Sequence, residues 1–194
     1  MARVLTRNEN HTLRTELEET YRHLCDRNPK DRVEIINGKV VVSPLPTTHH
    51  EKIVGRLIRL MLPAINEDEW DFSTNLGLFL GTQRDRYRPD FMVYPNDVPV
   101  WGDDHIYGDA TLLVAEVVSK SSVDDDHRFK PRNCAAAGVP LYLVIDRFAE
   151  TVRLLSKPDA QTEKYEQQVE VPFGKLLELP EPWSLTLDTA KLAD

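Results

Sequence analysis

A chain of 194 residues with 41% hydrophobic and 29% charged side chains has room for one domain with a sizeable core and little room for two. Its net charge of −8 argues against a basic protein built to coat nucleic acid, but leaves open an enzyme that meets it through a local basic groove. No stretch approaches the roughly 18 to 20 apolar residues of a membrane span, and charges from Arg3 to Glu18 interrupt every run that could act as a leader. Cys25 and Cys134 read as two free thiols, which suits a reducing cytoplasm.

Residues 10–27 place Leu13, Leu17, Tyr21 and Leu24 at helical spacing, so 1–28 reads as a helical extension ahead of a single domain over 29–194. A hairpin follows. Arg32-Val33-Glu34-Ile35-Ile36 and Lys39-Val40-Val41-Val42 flank Asn37-Gly38, a dipeptide that tolerates the positive φ angles of a type I′ turn. Pro44 and Pro46 then break the chain, and Thr47 or Thr48 caps a helix. Ile53, Leu57, Leu60 and Ala64 form its apolar stripe, widened by Val54, Ile58 and Met61. Strands are expected at 75–80 and 89–94. Between them Arg84, Arg86 and Arg88 cluster, as a phosphate-binding patch or as a solvated loop of mixed charge. The acidic, turn-rich stretch 95–109 reads as a long loop, either over a site or simply at the surface.

The run 111–118 has the unbroken apolar, β-branched character of a strand buried on both faces, except for Glu116. A polar segment over 121–130 contains Asp124-Asp125-Asp126. A helix then begins near Lys130-Pro131, where a first-turn proline loses no hydrogen bond, and stops at Gly138. Residues 140–146 form another buried strand. Segments 151–156 and 164–171 form an edge hairpin, and the remainder, with Pro172, Pro180 and Pro182, wraps the domain. This order predicts an α/β (α+β) fold: a mixed central sheet flanked by helices, with an N-terminal β-hairpin.

Glu116 is the thermodynamic anomaly. Leu112, Val114, Glu116 and Val118 share one strand face, and an unpaired carboxylate there costs several kcal/mol, so it must be neutralised, paired or metal-bound. Asp90 opens the preceding strand. If the two strands pair, both carboxylates converge at one end of the sheet. Mg²⁺ commonly takes only one or two protein carboxylates and completes its shell with water and phosphate, and Mn²⁺ could substitute for it. Such an ion activates water and offsets charge on a phosphoryl oxygen, with a nearby lysine assisting. Acids also stand at strand ends by chance, so the pair alone leaves both readings open.

Pro89-Asp90, Glu116-Val117-Val118-Ser119, Asp126 and Lys130, Ala137-Gly138-Val139-Pro140 and Tyr142-Leu143-Val144-Ile145-Asp146 follow one another in an order that resembles the Uma family. This is a restriction-endonuclease-like group within the PD-(D/E)XK nuclease superfamily. Glu34-Ile35-Ile36-Asn37-Gly38-Lys39, Ser43-Pro44 and His50 resemble the family's opening, so the likeness covers roughly residues 30–190. It implies a restriction-endonuclease-like core and Mg²⁺-dependent cleavage of DNA phosphodiester bonds. Asp90 and Glu116 would be the metal-binding pair, DNA the partner, and a homodimer would suit cutting of two strands.

The superfamily lysine normally stands two residues after the acid, where this chain has Val118. Lys120 keeps the strand-face parity, but its Cα would lie roughly 13 Å from that of Glu116. The family's lysine is displaced to the following helix, and Lys130 matches that position better than Lys120. Cys134 stands where many members carry Tyr, while Leu143 and Leu141 replace a common Trp and Glu. The resemblance also implies that Glu34 reaches the metal site, although a solvent-facing hairpin Glu is the plainer reading. His50 is a site residue or a base, Asp126 orients Lys130 or caps its helix, and Asp146 is a turn residue. The alternative function is a catalytically inactive nuclease fold serving as an interaction or nucleic-acid-binding module, which Val118 and the acidic surface favour.

Overall fold

Asn37 and Gly38 adopt φ angles of 52° and 68°, the left-handed pair that a two-residue hairpin requires. The computed structural model describes residues 7–81, 84–120 and 122–193, with side chains from Thr15 onward. Arg3 and Ser121 lie outside the described residues. In chain order the elements are α1 (Arg7–Arg27), β1 (Arg32–Ile36), β2 (Lys39–Ser43), α2 (Thr48–Glu67), β3 (Asp71–Ser73), β4 (Gly77–Leu80), β5 (Asp85–Tyr87), β6 (Phe91–Tyr94), β7 (Val100–Trp101), β8 (His105–Tyr107) and β9 (Leu113–Val117). There follow α3 (Lys130–Ala136), β10 (Leu141–Asp146), β11 (Thr151–Asp159), β12 (Lys164–Pro172), β13 (Leu176–Glu178) and β14 (Thr186–Asp188).

The central sheet runs β12-β11-β10-β9-β6-β3 and is mixed: β9 and β10 are parallel, and the other neighbours are antiparallel. Both of its faces are covered, which is why β9 and β10 read as nearly continuous apolar runs. Phe91, Ala115, Val117, Leu143 and Ile145 pack on one face against Ile53, Leu57 and Met61 of α2. Met92, Val114, Val118, Tyr142 and Val144 form the other face, against Cys134 of α3 and Leu78 and Tyr87 of the second sheet. That second sheet has the order β2-β1-β5-β4-β8-β7. The fold is therefore the mixed α+β arrangement that the element order predicts. Among the described residues no helix is long and apolar enough to cross a membrane.

Local signals hold where the chain's own chemistry decides the outcome. Thr47 caps α2, its hydroxyl accepting a hydrogen bond from the His50 amide. On α1, Tyr21 is buried against Val33 and Ile35, with Leu17 and Leu24 beside them.

Three expectations are corrected. Residues 95–109 are not one long loop: β8 pairs in parallel with β4 and carries β7 on its other edge, so tertiary pairing makes strands of a polar, turn-rich stretch. Arg86 belongs to no phosphate patch. It is buried in β5, with its guanidinium 4.7 Å from the Tyr21 ring centroid and 4.3 Å from that of Trp101, and is ion-paired to Glu18. Its neighbour Arg88 is engaged by Asp104 at 2.9 Å. Finally, helical turns begin before Lys130, because Asp125–Phe129 forms a wide π turn leading into α3.

Candidate active site

Register brings the two acids together. Phe91 pairs with Ala115 and Met92 with Val114, so Asp90 stands at the end of β6 beside Glu116. Glu116 shares strand parity with Val114 and faces the side occupied by α3. The Asp90 amide donates to Glu116 Oε2 at 3.3 Å, and the Val117 amide donates to Asp90 Oδ2 at 2.8 Å. The two side chains are 4% and 2% exposed, so their charge must be answered within the protein.

Lys130 answers for Glu116. Its Nζ lies 2.8 Å from Glu116 Oε1, 3.4 Å from Glu34 Oε1 and 3.4 Å from Asp126 Oδ1. The π turn sets Asp126 and Lys130 on one side of the helix, four residues apart. Phe129, with no side-chain cap, occupies the N-cap of α3, so Asp126 is a partner of Lys130 and not that helix's cap. The Ser122 hydroxyl donates to Asp126, and the Ser119 amide donates to Ser122 Oγ at 3.1 Å. Glu34 is 3% exposed, which overturns the solvent-facing reading, and its Oε1 also accepts from the Arg88 amide at 2.9 Å. Lys120 is exposed at the rim of the cleft. Val118 is fully buried among Cys134, Tyr142 and Val144, an apolar setting that would strand a lysine at that position.

Asp90 has a different set of partners. His50 Nε2 lies 2.9 Å from Asp90 Oδ2 and 3.1 Å from the Val117 carbonyl oxygen. Both are acceptors, so Nε2 carries the proton. Arg32 Nη1 lies 2.7 Å from Asp90 Oδ1. Sequence reasoning passed over Arg32, and also Ser122. The available signal for Arg32 was its place two residues before Glu34 on β1, hence on the same strand face.

The electrostatics follow from burial and company. Burial alone would raise the Asp90 carboxyl, but the His50 hydrogen bond and the Arg32 guanidinium hold it well below the usual carboxylate range. Glu116 is pushed upward by burial and by the nearby Asp90, Asp126 and Glu34, against the pull of Lys130. Burial would lower Lys130; its three carboxylate neighbours outweigh that and raise it well above the ordinary lysine value, so it stays protonated.

A cleft of about 670 Å³ opens onto Arg32, Glu34, His50, Asp90, Glu116 and Lys130. Among the described residues no three His, Cys, Asp or Glu side chains form a ready metal cage. The donor chemistry nevertheless fits a hard divalent cation that keeps most of its waters. Asp90, Glu116, Glu34 and Asp126 are four carboxyl groups facing two fixed cations, Arg32 and Lys130. The formal excess of negative charge is the size of one divalent ion. Glu116, Glu34 and Asp126 all turn toward Lys130, while Asp90 turns toward Arg32 and His50.

A family model described as "Uma2: Putative restriction endonuclease" matches residues 18–190. A search of curated proteins finds no match. Among solved structures, the crystal structure of "a putative nuclease belonging to DUF820" from Anabaena variabilis superposes with a TM-score of 0.66 at 18% identity. The alignment covers 82% of this chain and 88% of that one, which shows a common fold.

Proposed function

The chain belongs to the Uma2 family, and from that premise we propose that it is a metal-dependent endonuclease hydrolysing DNA phosphodiester bonds. The observation that supports this best is the meeting of Glu34 from the hairpin, Glu116 from the central strand and Asp126 from the π turn on the one buried ammonium of Lys130, beside Asp90.

Each residue has a task in this reading. Asp90 and Glu116 would hold Mg²⁺, which when bound supplies a more acidic water and a counter-charge for the phosphoryl group. Lys130, kept protonated by its carboxylates, donates toward a non-bridging phosphate oxygen as negative charge builds there. His50 fixes the orientation of Asp90 through Nε2. Glu34 and Asp126 hold the Lys130 ammonium in place, and Ser122 steadies Asp126.

A second reading draws on Arg32. Its guanidinium already neutralises Asp90 Oδ1, which suits an inactive nuclease fold that binds partners without metal. Incubation of the purified protein with labelled DNA and Mg²⁺ or Mn²⁺ separates the two. Cleavage that disappears in Asp90→Asn and in Glu116→Gln supports the nuclease. Absence of both cleavage and divalent-ion binding, across single-stranded and duplex DNA, overturns it.

A further inference from the structure

The walls of the cleft differ in chemistry. On the hairpin side, Val42 is 40% and Leu45 64% exposed, and Pro44 and Pro46 flank Leu45. On the other side, beyond the ends of β9 and β10, stand Lys120 and Arg147. Neither of these cations has a carboxylate partner among the described residues, in a chain whose net charge is −8. The Arg147 Nε is buried without a hydrogen-bond partner, and its guanidinium lies 4.3 Å from the ring centroid of Phe148, itself exposed. Glu34, Asp90, Glu116, Asp126 and Lys130 line the same cleft.

A second cleft, of about 630 Å³, shares Arg32, Leu45, Pro46 and Asp90 with the first and continues to Lys30. The two form one groove passing Asp90. Each volume lies in the range of small-ligand sites, roughly 300–1,000 Å³.

We propose that the groove binds an unpaired polynucleotide strand across the acid cluster, with bases against Val42, Leu45 and Pro46 and phosphates against Lys120 and Arg147. A duplex hides its base faces and presents phosphates outward, so exposed aliphatic side chains beside the reacting phosphate would gain nothing from it. An unpaired strand offers an apolar face and a charged edge, and grooves that hold such strands pair these same two features. The free cations supply the complementary charge on one wall only, which sets which edge of the strand faces which wall. This rests on the nuclease reading for its substrate class, but its binding prediction stands apart from cleavage.

The test is fluorescence anisotropy of the full chain, without divalent ions, on labelled 16-nucleotide single strands of DNA and RNA and on the matching DNA duplex. At least one single strand is expected to bind tenfold or more tighter than the duplex. Leu45→Asp should weaken that binding about tenfold. Lys120→Ala combined with Arg147→Ala should lower the slope of log K against log salt by about 1.4, at about 0.7 for each single-strand phosphate no longer neutralised. Leu45 and Lys120 are exposed and Arg147 is half-buried, and circular dichroism checks the fold of each variant. Equal or tighter binding of the duplex overturns the proposal, as does an unchanged salt slope. Duplex cleavage with no preference for single strands overturns it while leaving the nuclease standing. Selective single-strand binding with neither cleavage nor divalent-ion binding supports it and overturns the nuclease.

Discussion

Lys130 Nζ and Glu116 Oε1 lie 2.8 Å apart, joining the first residue of a seven-residue helix to the central strand of the sheet. Both side chains are almost completely buried, so the pairing is at once structural and chemical. Lys130→Met should cost about 3–5 kcal/mol by leaving Glu116 and Glu34 without their counter-ion. The double variant Lys130→Met, Glu116→Gln should lose less than the sum of its parts, since each change removes the other's unpaired group. Urea denaturation of all four proteins checks this; strict additivity would mean the pair is uncoupled.

Asp90→Asn should abolish divalent-ion binding in titration calorimetry, and should lower any DNA cleavage by at least about 100-fold. The fold should survive, since Asn still offers an oxygen to the Val117 amide and to His50. Retained Mn²⁺ affinity in a folded Asp90→Asn protein would remove Asp90 from the metal-binding pair.

Arg32 competes for Asp90. With its guanidinium 2.7 Å from Oδ1, Arg32→Met should tighten Mn²⁺ binding severalfold by removing a cation from the cluster. If the variant binds Mn²⁺ more weakly than the parent, Arg32 supports the ion site instead of opposing it.

A buried polar knot pins the hairpin to α3. Asp85 accepts from the Asn37 and Gly38 amides at 2.7 and 3.1 Å, and from Asn133 Nδ2 at 3.0 Å. Asn133 stands one turn beyond Lys130, so the knot ties the hairpin that carries Glu34 to the helix that carries the lysine. Asn133→Ala should cost about 1–3 kcal/mol through the donors and acceptors it strands, read from thermal or urea unfolding. A neutral result would show that water or a neighbour replaces the amide.

His105 predicts a pH effect away from the site. Burial lowers its pKa from the ordinary histidine value of 6.5, against the raising influence of Asp104. Above about pH 6.5 the ring is neutral in both the folded and unfolded chain. As pH falls below that value the unfolded chain takes up the proton first, so stability is lost until the folded ring also protonates. The urea midpoint should fall between about pH 7.5 and 5.5, a window that brackets the free histidine value, and His105→Gln should lose that part of the fall. Identical pH dependence in the variant would assign the effect elsewhere.

Legibility followed the range of the interaction. The hairpin, the cap of α2, the buried strands β9 and β10, and the edge pair β11–β12 can be read from neighbours in sequence, because φ preferences and side-chain periodicity are local properties. Residues 95–109 and β5 could not, since their strand character comes from partners far along the chain. Arg86 illustrates the same limit: nothing nearby announces that Tyr21 and Trp101 will enclose it.

By itself the sequence determined that Glu116 would sit in an apolar strand and would need to be neutralised, paired or metal-bound, because strand alternation and the cost of a buried carboxylate both follow from the residues in order. Which charge answers it was a tertiary decision. Lys120 and Lys130 are both near in sequence; only packing of the π turn and α3 on the central sheet brings Lys130 Nζ to the carboxylate. Glu34, Asp126, Arg32 and Ser122 joined the cluster for the same reason. A buried charge is a property of one position, whereas its neutralisation depends on several elements meeting in space.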